Sequence, residues 1–115
     1  MSENSSLYDL SMIEQIAHGN QDFIKKMINM FIDTMPAAIA EMKDHQENGN
    51  WPALGAVAHK VKPTIDTLGI TSLKEDVRSM EKYGKDLTNL DEIPSMLSNF
   101  DHVIGQVIED MKSKL

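Results

Sequence analysis

The chain has 115 residues, with 11 Lys+Arg against 18 Asp+Glu and a net charge of −7. That is one domain's length, and 41% hydrophobic residues suffice for a single core and exceed what a disordered chain carries. The lack of cysteine excludes disulfides and thiol chemistry and suits a reducing cytoplasm, the acidic balance disfavours nucleic acid, and no apolar run reaches the roughly 20 residues of a membrane span.

Nine Met and many Ile and Leu, against three Phe, two Tyr and one Trp, predict an all-α core, because unbranched and γ-branched side chains suit helices better than sheets. The polar residues 1–6 are expected to be flexible and show no signal-peptide pattern. Ser11 to Glu14 matches a capping box that opens a short helix, ended at Gly19. Asn20 is placed to cap a long helix running to about Gln46. Its stripe of Ile24, Met27, Ile28, Phe31, Met35, Ala38, Ile39 and Met42 steps by three or four, and Pro36 should kink it. Asn48-Gly49-Asn50 is a turn.

A third helix is expected from Trp51 to about Leu68, with Pro52 in its first turn and Leu54, Ala58, Val61, Ile65 and Leu68 inward. Ser72 to Glu75 is a second capping-box match, opening a fourth helix that should stop near Gly84. Asp91 is expected to cap the last helix, whose stripe is Ile93, Leu97, Phe100, Ile104, Val107, Ile108 and Met111. Four amphipathic helices with short connections predict an antiparallel four-helix bundle, with the short N-terminal helix across one end. Residues 1–115 read as a single domain.

The third helix carries the chemistry. His59 lies about 100° around from the inward Ala58, so its imidazole should face solvent or the edge of the stripe. Its neighbours three and four residues away are Gly55, Ala56, Lys62 and Pro63, three of them compact and one a cation. A neutral imidazole nitrogen is a nucleophile, bare flanks admit a large partner, and the ammonium groups of Lys62 and Lys60 can stabilise an attached phosphoryl group. Phosphate-binding glycine loops, Asp clusters for Mg²⁺ and histidine pairs at metal-ligand spacing are all missing from the sequence. His18, His45 and His102 read as ordinary surface residues, and a solvated His beside Lys is the plainer reading of His59 itself.

Ala58-His59-Lys60-Val61-Lys62-Pro63, then Leu68-Gly69 and Leu73, resembles the signature of the histidine-containing phosphotransfer (HPt) domains of bacterial two-component phosphorelays. The common pattern is A-H-x-L-K-G, with L-G five residues on and Leu four residues later. Gly19-Asn20, the Asn-rich turn before Trp51, and Met80-Glu81 also fall where that family would place them. The resemblance implies a phosphorelay intermediate that carries a phosphoryl group on His59 between receiver aspartates. Lys62 would steady that group and Glu81 would lie near the imidazole. It further implies receiver domains and a hybrid sensor histidine kinase as partners, docking around Gly55, Ala56, Lys60, Lys62 and Pro63. No intrinsic cofactor or ATP site is expected, Mg²⁺ coming with the receiver, and the module should be monomeric and cytoplasmic. A helical adaptor that binds a partner without phosphotransfer is the alternative. Pro63 departs from the family's Gly, and a bend that presents His59 outward is expected there. Asp66, an acid where smaller or amide residues are usual, is a candidate for tuning partner choice.

Overall fold

The computed structural model describes residues 7–114. The expectation of a flexible stretch at 1–6 lies outside the described residues. Five helices follow in order: α1 (Ser11–Ala17), α2 (Gln21–Glu47), α3 (Trp51–Thr67), α4 (Lys74–Asp86) and α5 (Ile93–Lys114). Among the described residues there is no strand. Single 3₁₀ turns, Thr71–Leu73 and Leu90–Glu92, lead into α4 and α5.

α2 to α5 form an antiparallel bundle in which α2 packs on α3 and α5, and α4 on α3 and α5. The molecule is 42 Å long, about the length of α2 at 1.5 Å per residue. The apolar stripes meet in one core, where Phe31, Met35, Met42, Leu54, Ile65, Met80, Leu97 and Phe100 are almost fully buried. Met27, Ala38 and Ile108 from the predicted stripes sit at its margin. α1 closes one end: Ile13 and Ala17 are buried, Tyr8 donates its hydroxyl to Asp110 of α5, and the Asp9 amide donates to Leu68 O at 3.0 Å. Gly69 makes that seam possible, since at φ +62° a Cβ there would lie 2.6 Å from Asp9 O.

The helix starts show which local signals the fold uses. Asn20 caps α2 as expected, its side chain accepting from the Phe23 amide at 3.1 Å, a contact of about 1 kcal/mol. The two capping boxes do not form. Ser11 is the first residue of α1, and its amide and hydroxyl both donate to Asp9 Oδ1, at 2.9 and 2.6 Å, so Asp9 supplies the acceptor. Ser72 lies inside the 3₁₀ turn before α4, where the chain is already coiled and no cap position remains for it. Asp91 likewise falls within a 3₁₀ turn and not at the start of α5.

α4 passes through Gly84 and ends two residues later, where Leu87 takes the left-handed conformation at φ +57°. At Gly84 the backbones of α3 and α4 approach closely: a Cβ on it would stand 2.6 Å from Trp51 O and 3.1 Å from Gly55 Cα. The two mid-helix prolines, Pro36 and Pro63, remove one amide donor each without ending their helices. α2 runs unbroken through Pro36 and α3 through Pro63 to Thr67.

Candidate functional site

Three rungs order the antiparallel α3–α4 pair. Gly55 meets Gly84, His59 meets Glu81, and Asp66 meets Arg78. The glycine contact brings the two backbones together one turn from His59, so a side chain of Glu81's length reaches the ring. His59 stands on the outer ridge of α3 and is 67% exposed, whereas Glu81 and Lys62 are 24% and 27% exposed beside it.

Glu81 uses both carboxylate oxygens. Oε2 lies 2.7 Å from His59 Nδ1, and Oε1 accepts from Lys62 Nζ at 2.7 Å. The hydrogen bond from Lys62, with a smaller contribution from His59, holds the Glu81 carboxyl below the usual carboxylate range despite partial burial. An ionised carboxylate can only accept, so the proton of this bond sits on Nδ1. Nε2 is then the nitrogen with a free lone pair, on a side chain that is largely exposed. The cation of Lys62 is paired in this state, and the group in contact with the imidazole is an anion.

The residues expected to receive a partner surround His59 but line different grooves. Gly55 is buried against α4, with the Glu81 carbonyl 3.0 Å from where its Cβ would stand, so its smallness serves helix packing first and leaves only the floor of a groove. That groove, between α3 and α4, is lined by Pro52, Gly55, Ala56, His59, Glu81 and Lys85. Ala56 is exposed on it, and Lys85 is a cation that no local motif singled out. Pro63 and Lys60, both exposed, lie on the other flank of α3 and line grooves shared with α2, Pro63 beside Met30 and Lys60 beside Glu41. Lys62 belongs with Glu81 on the α4 side. His59 is the ridge between the two flanks.

Asp66 is not a free carboxylate. Arg78 donates to both its oxygens, at 3.2 and 2.7 Å, and these bonds hold its carboxyl below the usual range against the effect of burial. A carboxyl whose folded-state value is lowered stabilises the fold above the unfolded carboxylate range and loses that contribution as pH falls through it. Urea unfolding of the native chain should therefore weaken more steeply between neutral and strongly acid pH than unfolding of Asp66→Asn. Parallel pH profiles for the two would contradict this assignment. The Arg78 pairing crosses from α4, and no spacing within α3 could have announced it.

His18 and His102 are exposed, and His45 is paired with Glu41 at 3.5 Å. Among the described residues no group of three His, Asp or Glu side chains is arranged to hold a metal ion, and no helix is long and apolar enough to cross a membrane. Searches of the curated proteins and of the solved structures gave no match. The family model of the Hpt domain matches residues 26–112, a span that takes in nearly all of the bundle together with His59, Lys62 and Glu81. A match over most of the chain, on a helical bundle that exposes a histidine on its third helix, settles the family: the chain belongs to the Hpt domains, phosphocarriers of His-to-Asp phosphorelay signalling.

Proposed function

We propose that the domain accepts a phosphoryl group on His59 Nε2 from the aspartyl phosphate of one receiver domain and passes it to the aspartate of another. The observation that carries this reading is the Nδ1–Glu81–Lys62 arrangement, in which a carboxylate fixes the ring tautomer and leaves Nε2 free on an exposed ridge. In the forward step Nε2 attacks phosphorus in line, the N–P bond forms as the P–O bond breaks, and the receiver carboxylate leaves with the electron pair. Lys62 swings from Glu81 to the phosphoryl oxygens, a move its flexible stem allows. Mg²⁺ on the receiver would neutralise charge on the same oxygens.

Docking uses the ridge and both flanks. Ala56 and the groove floor at Gly55 lie on one side, with Lys60 and Pro63 on the other. Met30 of α2, 53% exposed and beside Pro63, offers apolar contact from the neighbouring helix. The helix stripes are used by the domain's own core, which supports a single monomeric module. A cytoplasmic setting, a sensor kinase upstream and receivers on both sides of the relay complete the proposal.

The test is phosphotransfer from a ³²P-labelled, phosphorylated receiver to the purified chain. Label that is acid-labile and base-stable is the expected result, because a phosphoramidate behaves in that way and an acyl phosphate does not. A broad receiver panel that binds the chain yet leaves no label on it would overturn the relay reading and favour an adaptor.

A further inference from the structure

The bond between Glu81 and Nδ1 bears on the phosphorylated ring as well as on the free one. When Nε2 of the Nδ1–H tautomer attacks, no proton has to leave, and the product ring carries phosphorus on Nε2, hydrogen on Nδ1 and a positive charge. In the onward step the N–P bond breaks, its electron pair returns to Nε2, and a P–O bond forms to the acceptor carboxylate or to water. The leaving group is then a neutral imidazole. Had the ring first lost its Nδ1 proton, the leaving group would be an imidazolate, a much stronger base that departs far more slowly. Retention of that one proton separates a phosphoryl donor from a stalled store.

We propose that Glu81 is a positioning residue that keeps the proton on Nδ1 of phosphorylated His59, so that the domain remains able to pass on its phosphoryl group at neutral and mildly alkaline pH. The geometry is a carboxylate oxygen 2.7 Å from Nδ1, on a side chain only 24% exposed. The surrounding charges work the other way. Lys60 and Lys62 flank the ring on α3, and Lys85 shares its groove from α4, while Arg78 of α4 is paired with the Asp66 carboxylate. From α2, Glu41 faces Lys60 across the opposite groove. With these three lysines nearby, an uncharged group in place of Glu81 would let the proton go at lower pH. Once Lys62 turns to the phosphoryl oxygens, Glu81 is left to the ring alone, and its hold on the proton strengthens. The proposal rests on His59 as the phosphoacceptor.

The experiment uses the full chain, ¹⁵N-labelled at histidine and phosphorylated by potassium phosphoramidate, which needs no partner. ³¹P and ¹⁵N spectra first locate the phosphoryl group; its absence from Nε2 of His59 would remove the phosphoacceptor reading itself. With the label in place, the pH at which Nδ1 loses its proton is read from the ¹⁵N shift, and hydrolysis is timed across the same range. In Glu81→Gln, which keeps the shape and an acceptor oxygen but no charge, the midpoint should fall by about one to three pH units. Its hydrolysis should slow about tenfold per pH unit above the new midpoint. Lys62→Met removes a cation and should move the midpoint upward, a readout that stands even if Glu81→Gln folds poorly. An unchanged midpoint in folded Glu81→Gln, or a downward shift in Lys62→Met, would overturn the proposal.

Discussion

Replacing His59 by Gln should abolish phosphoryl acceptance and leave the fold intact. A glutamine amide has no nucleophilic lone pair on nitrogen, so the loss is of the reaction and not of a fraction of its rate. The side chain is 67% exposed on the outer ridge of α3, and the buried neighbours Ala58 and Val61 are untouched. Glu81 keeps its bond to Lys62, so no charge is left unpaired. An exposed substitution of this kind changes stability by less than about 1 kcal/mol. Labelled transfer from a phosphorylated receiver, read beside a thermal melt, checks both halves. Label that persists in His59→Gln would point to His18, His45 or His102 as the acceptor.

A larger effect on stability is expected at Gly84. Glycine in a helix interior ordinarily costs about 1 kcal/mol relative to alanine, so Gly84→Ala would stabilise if space allowed. Space does not allow it. The new Cβ would meet Trp51 O at 2.6 Å and Gly55 N and Cα at 3.1 Å, all backbone atoms of a neighbouring helix. Steric conflict wins, and α4 must move away from α3, at a net loss of about 2–3 kcal/mol. Gly105, with nothing within 4 Å of its own hypothetical Cβ, is the control: Gly105→Ala should stabilise by up to about 1 kcal/mol. Denaturant melts of the two variants should shift in opposite directions. A shared direction would mean that the close approach at Gly84 is not the tight contact described.

The sequence is legible where a signal is local and periodic. The stripes of α2, α3 and α5 follow from a 3.6-residue period, and the Asn20 cap from one side chain reaching an amide three residues on. Signals with two meanings mislead. Ser11 and Ser72 sit in capping-box patterns, yet Asp9 and a 3₁₀ turn had first claim on the chain there. Gly84 looks like a helix stop because a sequence cannot say whether a missing side chain frees the backbone or admits another helix. His59 and Lys62 stand out by residue type and spacing on one helix and Glu81 through a family pattern, and it takes the packing of α4 on α3 to give them a hydrogen-bond order. Lys85, Arg78 and the burial of Gly55 depend on pairings across helices, which no window along the chain contains.

The glycine contact between α3 and α4 also sets which chemistry reaches the imidazole. Glu81 and Lys85 are one turn apart on the same face of α4, opposite in charge and both lining the groove beside His59. A slide of α4 by a single turn, about 5.4 Å, would deliver the ammonium of Lys85 where the carboxylate now stands. The ring would then face a donor in place of an acceptor and would hold its proton on the opposite nitrogen. Two residues without side chains, wedged backbone to backbone, are what makes that misalignment sterically expensive. A packing detail with no functional group of its own thus decides which end of the imidazole keeps a free lone pair.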